Sequence, residues 1–364
     1  MPFTPLALSL PASVPFVGPE TLERRRGAPF KARLGANESV FGPSPSVVAA
    51  MAEASASSWA YADPELHDLK AAIAAHHGIA PANVAVGEGI DGLLGLIVRL
   101  TIGPGDRAVT SLGAYPTFNY HVVGHGGALD FVAYRDDRED AEALVEKAKE
   151  TGAKLVYFAN PDNPTGSWHE AADVVALMDA VPPTALLLLD EAYADLAPAS
   201  ALPELTPFPP NVLRFRTFSK AYGMAGARIG YVLGAPETIA HFDKVRNHFG
   251  VSRMAQAGAL AALADQAHLQ RTVAEIVAAR DALGVIARNA GLKPLPSATN
   301  FVAMDCGRDG DYARAILAAI IERGVFIRMP GIAPLDRMIR VTVGREADLA
   351  LFAEALDGAI ASVR

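Results

Sequence analysis

The chain has 364 residues, of which 51% are hydrophobic and 20% are charged, and 40 acidic against 32 basic residues give a formal net charge of −8. This composition excludes a disordered chain, and the length predicts one large or two moderate domains. The negative charge argues against a nucleic-acid partner, and the single cysteine, Cys306, excludes an internal disulfide or a cysteine-rich metal site and is typical of a cytoplasmic protein.

The first 19 residues carry no charge. They do not predict a signal peptide, because they lack a basic start and because prolines interrupt any apolar helix. We expect this segment to be an extended arm that lies across the body of the protein. The aliphatic runs at 93–98 and 185–189 are far shorter than a bilayer-spanning helix, so the sequence predicts no membrane contact.

Between residues 45 and 250 the hydrophobic pattern alternates between helix and strand. Short aliphatic runs separated by helices predict a mostly parallel sheet with helices on both faces. The predicted helices are 45–58, 64–77, 91–100, 140–149 and 171–180. The predicted strands are 83–86, 107–110, 129–133, 154–158, 185–189, 212–217 and 230–233.

The pattern changes after about residue 250, where residues 254–289 predict one long alanine-rich helix. Beyond it the predicted strands are 300–305, 325–328 and 339–343, and the predicted helices are 312–323 and 346–362. The sequence therefore predicts an α/β fold with a large, mostly parallel sheet and a smaller α+β domain. We expect an arm at 1–41 that joins the small domain, a large domain at 42–250 and a small domain at 251–364.

A glycine turn at 87–92 matches the pattern G-x-G-x-x-G, follows a predicted strand and opens a helix. In a nicotinamide-dependent dehydrogenase this pattern binds a dinucleotide. The turn lies far from the start of the chain, carries two acidic residues, and lacks a clearly placed acidic residue about 20 positions later. A phosphate site at the helix start, at Gly89, Ile90 and Asp91, is the interpretation we favour. The dehydrogenase stays an alternative.

Polar motifs follow three of the predicted strands. Each has an ordinary explanation by itself, as a turn, a helix cap or a solvated surface group. Because the carboxyl ends of parallel strands meet at one edge of a sheet, we expect these side chains to share one crevice. In chain order they are Asn163, Asp190, Tyr193, Ser219, Lys220 and Arg228.

On these motifs the chain resembles the class I/II aminotransferases of fold type I, which depend on pyridoxal 5′-phosphate (PLP), and most closely their histidinol-phosphate aminotransferase branch. The resemblance spans residues 34–344. It implies PLP as the cofactor and, as substrates, an amino donor and a 2-oxo acid acceptor that react in turn (ping-pong). The matching segments are 34–38, 41–45, 163–166, 190–193, 219–228 and 339–344.

The resemblance implies a role for each matching residue around the cofactor. Lys220 is expected to bond to the PLP aldehyde and to move the proton during transfer. Asp190 is expected to keep the ring nitrogen protonated. Asn163 and Tyr193 match donors to the phenolic oxygen, and Phe118 matches the aromatic residue that stacks on the ring. The phosphate is expected to contact Gly89, Ile90, Asp91, Ser219 and Arg228.

For the substrate, the resemblance implies that Arg340 binds a carboxylate through its planar fork and that Arg328 binds a second anion. Tyr61 matches a tyrosine that reaches the phosphate of a neighbouring subunit, which implies a homodimer with shared sites. The expected amino donor is a small L-amino acid or histidinol phosphate, with histidinol phosphate favoured, and the expected acceptor is a 2-oxo acid, with 2-oxoglutarate favoured, in cytoplasmic histidine biosynthesis. The arm has Phe16 where a tyrosine is usual. An aromatic amino acid transaminase, an amino acid phosphate decarboxylase and a non-catalytic PLP-binding protein stay open.

Overall fold

The computed structural model describes residues 2–12 and 17–363. Phe16, which stands where the family usually has a tyrosine, lies outside the described residues. The described strands are β1 (Ala32–Arg33), β2 (Val84–Gly87), β3 (Arg107–Ser111), β4 (Ala128–Val132), β5 (Leu155–Ala159), β6 (Leu186–Asp190), β7 (Val212–Thr217), β8 (Gly230–Leu233), β9 (Lys293–Pro294), β10 (Phe301–Asp305), β11 (Val325–Phe326) and β12 (Met338–Thr342).

The α-helices of the same residues follow the predicted pattern in most of the chain. They are α1 (Pro5–Ser9), α2 (Pro19–Arg26), α3 (Pro45–Ser55), α4 (His67–His77), α5 (Gly89–Thr101), α6 (Thr117–Gly124), α7 (Ala141–Thr151), α8 (Ala171–Ala180), α9 (Pro236–Ile239), α10 (Arg253–Ala264), α11 (Gln266–Asn289), α12 (Gly310–Glu322) and α13 (Glu346–Ser362). None of these helices combines the length and the apolar character needed to cross a membrane.

Seven strands form the large sheet in the order β2-β8-β7-β6-β5-β3-β4. Strand β8 runs antiparallel to both of its neighbours, and the other pairings are parallel. The predicted mostly parallel sheet is therefore confirmed. Strands β2, β3, β4, β5, β6 and β7 all point the same way, so their carboxyl ends lie along one edge of the sheet. Ligands bind at this edge in open α/β sheets.

The two faces of the large sheet bury different helices. In β5 every residue is buried, and alternate side chains point to opposite faces. Tyr157 packs with Leu93 of α5 and Phe118 of α6 on one face. Phe158 packs with Leu144 of α7 and with α8 on the other face. Burial on both faces explains why these strands read as continuous aliphatic runs in the sequence.

A second, antiparallel sheet of three strands, in the order β12-β10-β9, forms the smaller part of the protein. Helices α11, α12 and α13 contact this sheet or each other. The segment before residue 41 joins this part, because β1 pairs in parallel with β11 and the amide of Thr342 donates to the carbonyl of Leu34 at 2.8 Å. The smaller α+β domain is confirmed, whereas the boundaries at 41 and 250 stay predictions.

Two local predictions are wrong. The arm is not extended throughout: Pro5 begins a short helix, because a proline at the first helical position loses no needed hydrogen bond, and Thr4 caps it through the amide of Ala7 at 3.1 Å. The predicted helix at 254–289 is interrupted at Asp265. The carboxylate of this residue accepts a hydrogen bond from the amide of His268 at 3.1 Å and caps a new helix.

Candidate active site

A cavity of about 690 Å³ lies where the strands of the large sheet end. One wall comes from the loops after β5, β6 and β7 and from the start of α5, and the opposite wall comes from residues 35–38 and from the strands of the smaller part. Of the predicted site residues, the cavity is lined by Ile90, Asp91, Asn163, Asp190, Tyr193, Ser219, Lys220, Arg228, Arg328 and Arg340. Gly89, Phe118 and Tyr61 do not line it.

Lys220 lies in the turn that follows β7. Its Nζ atom donates to the main-chain carbonyl of Asn37 at 3.2 Å and stands 5.5 Å from the ring centroid of Tyr193. Burial, reinforced by the positive charge of Arg340, lowers the pKa of Lys220 to about 8. A substantial fraction of the amine is therefore neutral near physiological pH, as a nucleophilic lysine requires.

Asp190 is the last residue of β6, and its side chain is held from two directions. Oδ2 accepts from the hydroxyl of Tyr157 at 2.6 Å, and Oδ1 accepts from the amide of Ala192 at 2.9 Å. Burial raises the pKa of Asp190 to about 6, and these two hydrogen bonds oppose that rise. The carboxylate is therefore ionised at neutral pH and fixed in place, which suits it to pair with a buried cationic nitrogen.

The start of α5 forms a cradle for an anion. Gly89 has a φ of 77°, and a Cβ atom there would lie 2.6 Å from Nη2 of Arg228. No side chain caps the first turn of this helix, so its amides lack a side-chain acceptor. Thr217 donates to Oγ of Ser219 at 2.9 Å, which leaves the serine proton able to turn toward the cavity. Amides, a hydroxyl and a guanidinium together suit a phosphate.

Two arginines face this cradle from the smaller part. Arg328 and Arg340 are cross-strand partners, joined by main-chain hydrogen bonds of 2.7 and 3.2 Å. Like charges placed opposite each other destabilise a strand pair unless an anion offsets them. Burial, together with the charge of Arg328, lowers the pKa of Arg340 to about 10. Arg340 Nη1 donates to Oδ1 of Asn163, and its buried Nε has no partner among the described residues. This wall suits an anion with paired oxygens.

Of the two aromatic residues in the Tyr-Pro-Thr-Phe motif, Tyr115 lines the cavity and Phe118 lies in the core. Phe118 is fully buried and stacks on Tyr157 with ring centroids 5.1 Å apart. Tyr115 lines the cavity, and its hydroxyl donates to Oδ2 of Asp91 at 3.4 Å. Burial raises the pKa of Tyr115 to about 12, so the phenol stays neutral. Both residues belong to one Tyr-Pro-Thr-Phe motif. Tyr115 precedes α6, which begins at Thr117, whereas Phe118 lies in the first turn of α6 and packs in the core.

Tyr61 lies outside the cavity of its own chain. Its side chain is 78% exposed and packs against Phe249 with ring centroids 4.6 Å apart. Sequence reasoning assigned no role to Asn37, although this buried residue contacts Lys220 and Tyr193. Its left-handed backbone, with a φ of 56°, is a conformation that asparagine adopts more readily than most residues.

The family model that describes aminotransferases of class I and II matches residues 31–356. The chain is 37% identical over 340 residues to a histidinol-phosphate aminotransferase of Mesorhizobium japonicum, covering 91% of each chain. A crystal structure of histidinol-phosphate aminotransferase from Sinorhizobium meliloti in complex with pyridoxal 5′-phosphate is 57% identical, with a TM-score of 0.97 and coverage of 99% of this chain and 98% of that one. Aspartate aminotransferase from Thermus thermophilus, at 21% identity and a TM-score of 0.82, covers 98% of this chain and 99% of its own and shares the fold.

Proposed function

The chain belongs to the class I and II aminotransferases, and from this premise we propose that it transfers the amino group of histidinol phosphate to 2-oxoglutarate with PLP as its cofactor. The observation that carries the proposal is the arginine pair, Arg328 and Arg340, across the cavity from Lys220. A lysine with a pKa of about 8 supplies the reactive amine, and the two guanidinium groups supply binding for anionic substrates. The proposed place of the reaction is cytoplasmic histidine biosynthesis.

PLP, when bound, supplies an aldehyde that takes up the amino group and a ring that accepts electrons from the bond broken at the substrate carbon. We assign the phosphate to the cradle of Ser219, Arg228 and the first amides of α5. Asp190 then holds the proton on the ring nitrogen. Asn163 and Tyr193 donate to the phenolic oxygen. The ring-stacking role that the resemblance gave to Phe118 passes to Tyr115, because Tyr115 lines the cavity.

Lys220 has two tasks in this proposal. Its neutral amine would hold the cofactor through the aldehyde, and the same amine would move the proton at the substrate carbon. Burial and the positive charge of Arg340 support the second task, because both keep the pKa of the amine close to the working pH. The hydrogen bond from Nζ to the carbonyl of Asn37 limits where the amine can move.

Arg340 serves both half-reactions in this proposal. The 2-oxo acid presents a carboxylate next to its reacting carbon, whereas histidinol phosphate has no carboxylate and presents a phosphate monoester. A planar guanidinium binds either group through paired oxygens. Arg328, its cross-strand partner, adds a second cation for the doubly charged phosphate or for the distal acid of 2-oxoglutarate.

A screen of single half-reactions tests the donor. Cofactor-loaded enzyme is mixed with histidinol phosphate, with phenylalanine, with an amino acid phosphate or with buffer. The visible absorbance of the bound cofactor and the release of carbon dioxide are followed, with Lys220→Ala as the inactive control. We expect histidinol phosphate to react fastest and 2-oxoglutarate to restore the starting spectrum. Faster reaction with phenylalanine would make the protein an aromatic transaminase, and release of carbon dioxide from an amino acid phosphate would make it a decarboxylase.

We further propose that the protein is a homodimer in which Tyr61 reaches the cofactor phosphate of the second subunit. The support is a set of exposed aromatic residues: Trp59, Tyr61 and Phe249 are 88%, 78% and 50% exposed. Exposed apolar groups of this size commonly mark a protein–protein contact. Sedimentation at assay concentration is expected to give a dimer. An active monomer would contradict this proposal.

A further inference from the structure

We propose that Asn37 is a positioning residue that fixes the Tyr193 hydroxyl and the Lys220 amine relative to each other and to the strand that carries Arg340. The inference rests on the proposed aminotransferase function. It assigns to the arm segment before residue 41 a direct part in the geometry of the site.

Asn37 is 3% exposed, and each of its polar groups has a partner. Its Nδ2 donates to the hydroxyl oxygen of Tyr193 at 3.0 Å. Thr342 Oγ1 donates to Oδ1 of Asn37 at 3.1 Å, and it accepts from the main-chain amide of Asn37 at 3.0 Å. Its carbonyl accepts from Lys220 Nζ at 3.2 Å and from Asn300 Nδ2 at 3.0 Å. One residue therefore connects both reactive groups to the antiparallel sheet.

The partners of Asn37 come from different parts of the fold. Tyr193 and Lys220 follow β6 and β7 of the large sheet, whereas Thr342 ends β12, two positions after Arg340. Two hydrogen bonds with Thr342, at the side chain and at the main-chain amide of Asn37, hold Asn37 against β12. The hydrogen bonds to Lys220 and Tyr193 then fix these two groups relative to β12. A displacement of β12 would therefore move the substrate arginine and the reactive groups together.

The direction of the bond to Tyr193 matters for the chemistry. Because Asn37 Nδ2 donates, the phenol oxygen accepts, and the proton of the Tyr193 hydroxyl is left to donate to another group. Burial raises the pKa of Tyr193, and the bond from Asn37 opposes that rise. Asn37 thus sets both the orientation and the acidity of a hydroxyl that lines the cavity.

A simpler explanation is that Asn37 only braces the fold. Its φ of 56° is costly for most residues, so a change to alanine or leucine would confuse backbone strain with loss of the side chain. Two substitutions avoid this problem. Asn37→Gly keeps the left-handed backbone and removes the side chain. Asn37→Asp keeps the size and replaces the donor with an acceptor. Asp136→Gly is the control, because Asp136 is exposed and also left-handed, with a φ of 52°.

The first readout uses the protein without cofactor. An amine-reactive reagent is applied across a pH series, and labelling of Lys220 is quantified by peptide mass spectrometry. The charged groups that act on Lys220 are Arg340, which lowers its pKa, and Asp91, Asp190 and Glu38, which raise it. A new carboxylate in Asn37→Asp stabilises the ammonium form, so we expect the labelling midpoint to rise by about half a pH unit or more. Asp136→Gly is expected to keep the wild-type midpoint.

The second readout is the steady-state kinetics of the loaded enzyme. We expect Asn37→Gly to lower kcat about tenfold with little change in KM, because one buried hydrogen bond that orients the reactive groups is lost. An unchanged labelling midpoint in Asn37→Asp together with wild-type kcat in Asn37→Gly, even with lowered melting temperatures, would reduce Asn37 to a brace and overturn the proposal. If Asn37→Gly does not fold, a lowered kcat with unchanged KM in Asn37→Asp decides, because the added charge alone would raise the midpoint. An inactive wild type would reject the proposed function, and a labelling midpoint that shifts in Asn37→Gly would still support the positioning role.

Discussion

The two walls of the cavity are built in different ways. On the wall of the large sheet, Asp190, Ser219 and Lys220 follow the ends of neighbouring parallel strands, so the sheet itself sets their spacing. On the other wall, Arg328 and Arg340 form a cross-strand pair in the smaller part of the protein. In the proposed function, the groups assigned to the cofactor are therefore carried mainly by one sheet, whereas the arginines assigned to the substrate are carried by the smaller part of the chain.

Polar contacts join the two walls beside the ring contact between Tyr193 and Phe301, whose centroids are 5.6 Å apart. Arg340 donates to Asn163, and Arg337, directly before the same strand, contacts Asp137, which follows β4, at 2.7 and 2.8 Å. Asp305 of β10 holds the same guanidinium at 2.8 Å. Removing Arg340 is therefore expected to change substrate kinetics most strongly and to affect the cofactor wall only through the pKa of Lys220.

The largest effect is expected on the cofactor wall, at Lys220. Lys220→Ala removes the amine to which we assign both the bond to the aldehyde and the transfer of the proton, so we expect amino transfer to fall by about 10⁴-fold or more. Single-turnover kinetics with histidinol phosphate measures the loss. The variant is expected to fold and still bind PLP through the phosphate cradle. A bound-cofactor spectrum identical to that of the wild type would contradict the assignment of Lys220.

A smaller but still large effect is expected at Asp190. Asp190→Ala removes the carboxylate that pairs with the ring nitrogen and leaves the Tyr157 hydroxyl without its partner, so we expect kcat to fall about 10³-fold. The kinetics are measured with cofactor at saturation, to separate chemistry from weaker binding. Near-normal activity would mean that Asp190 only caps the turn that follows β6.

On the substrate wall, Arg340→Ala is expected to slow both half-reactions about 10²-fold, because each substrate loses a paired charge. Arg328→Ala is expected to act more weakly, and mainly on substrates with a phosphate or a second acid. Single-turnover rates with histidinol phosphate, phenylalanine and 2-oxoglutarate separate the two arginines. If Arg340→Ala slows only one half-reaction, the shared binding role is wrong.

The smallest expected effect is the electrostatic effect of Arg340, on one wall, on the pKa of Lys220, on the other wall. The neutral amine is the reactive form, and the pKa of Lys220 is lowered to about 8, so the rate of PLP uptake by cofactor-free protein should rise with pH and level off above pH 8. Arg340 is the second cause of that lowered pKa, so Arg340→Ala is expected to move the midpoint of this profile upward. Stopped-flow absorbance measures both profiles. A midpoint near 10.5 in the wild type would contradict a buried, electrostatically tuned lysine.

The sequence predicted the fold well where apolar runs have clear ends. The observed bounds of α8, α13, β7 and β8 are the predicted ones. The cofactor wall was predictable for a related reason, since motifs at the ends of parallel strands must converge on one edge. The break at Asp265 was missed because an aspartate inside an alanine-rich stretch reads equally well as a solvated helix residue or as a cap.

The remaining site residues depend on contacts that local pattern does not encode. Phe118 and Tyr115 share one motif, and only the folded structure shows that Tyr115 lines the cavity while Phe118 packs in the core. Asn37 bonds to residues that lie 156, 183 and 305 positions away in the chain, and its local signal is limited to an asparagine that tolerates a left-handed backbone. Such contacts become visible only once both sheets are in place.

The central claim is that one wall binds the cofactor and the other wall recognises the substrate. Its most direct test is the affinity of the cofactor-free protein for PLP in two matched arginine variants. Arg228→Ala removes a guanidinium from the phosphate cradle, and Arg340→Ala removes one from the substrate wall. Equilibrium titration, followed by cofactor absorbance, is expected to show at least about tenfold weaker binding for Arg228→Ala, because a charge-assisted contact is lost, and binding within about threefold of wild type for Arg340→Ala. Equal weakening in both variants, or the reverse order, would contradict the separation of cofactor binding from substrate recognition.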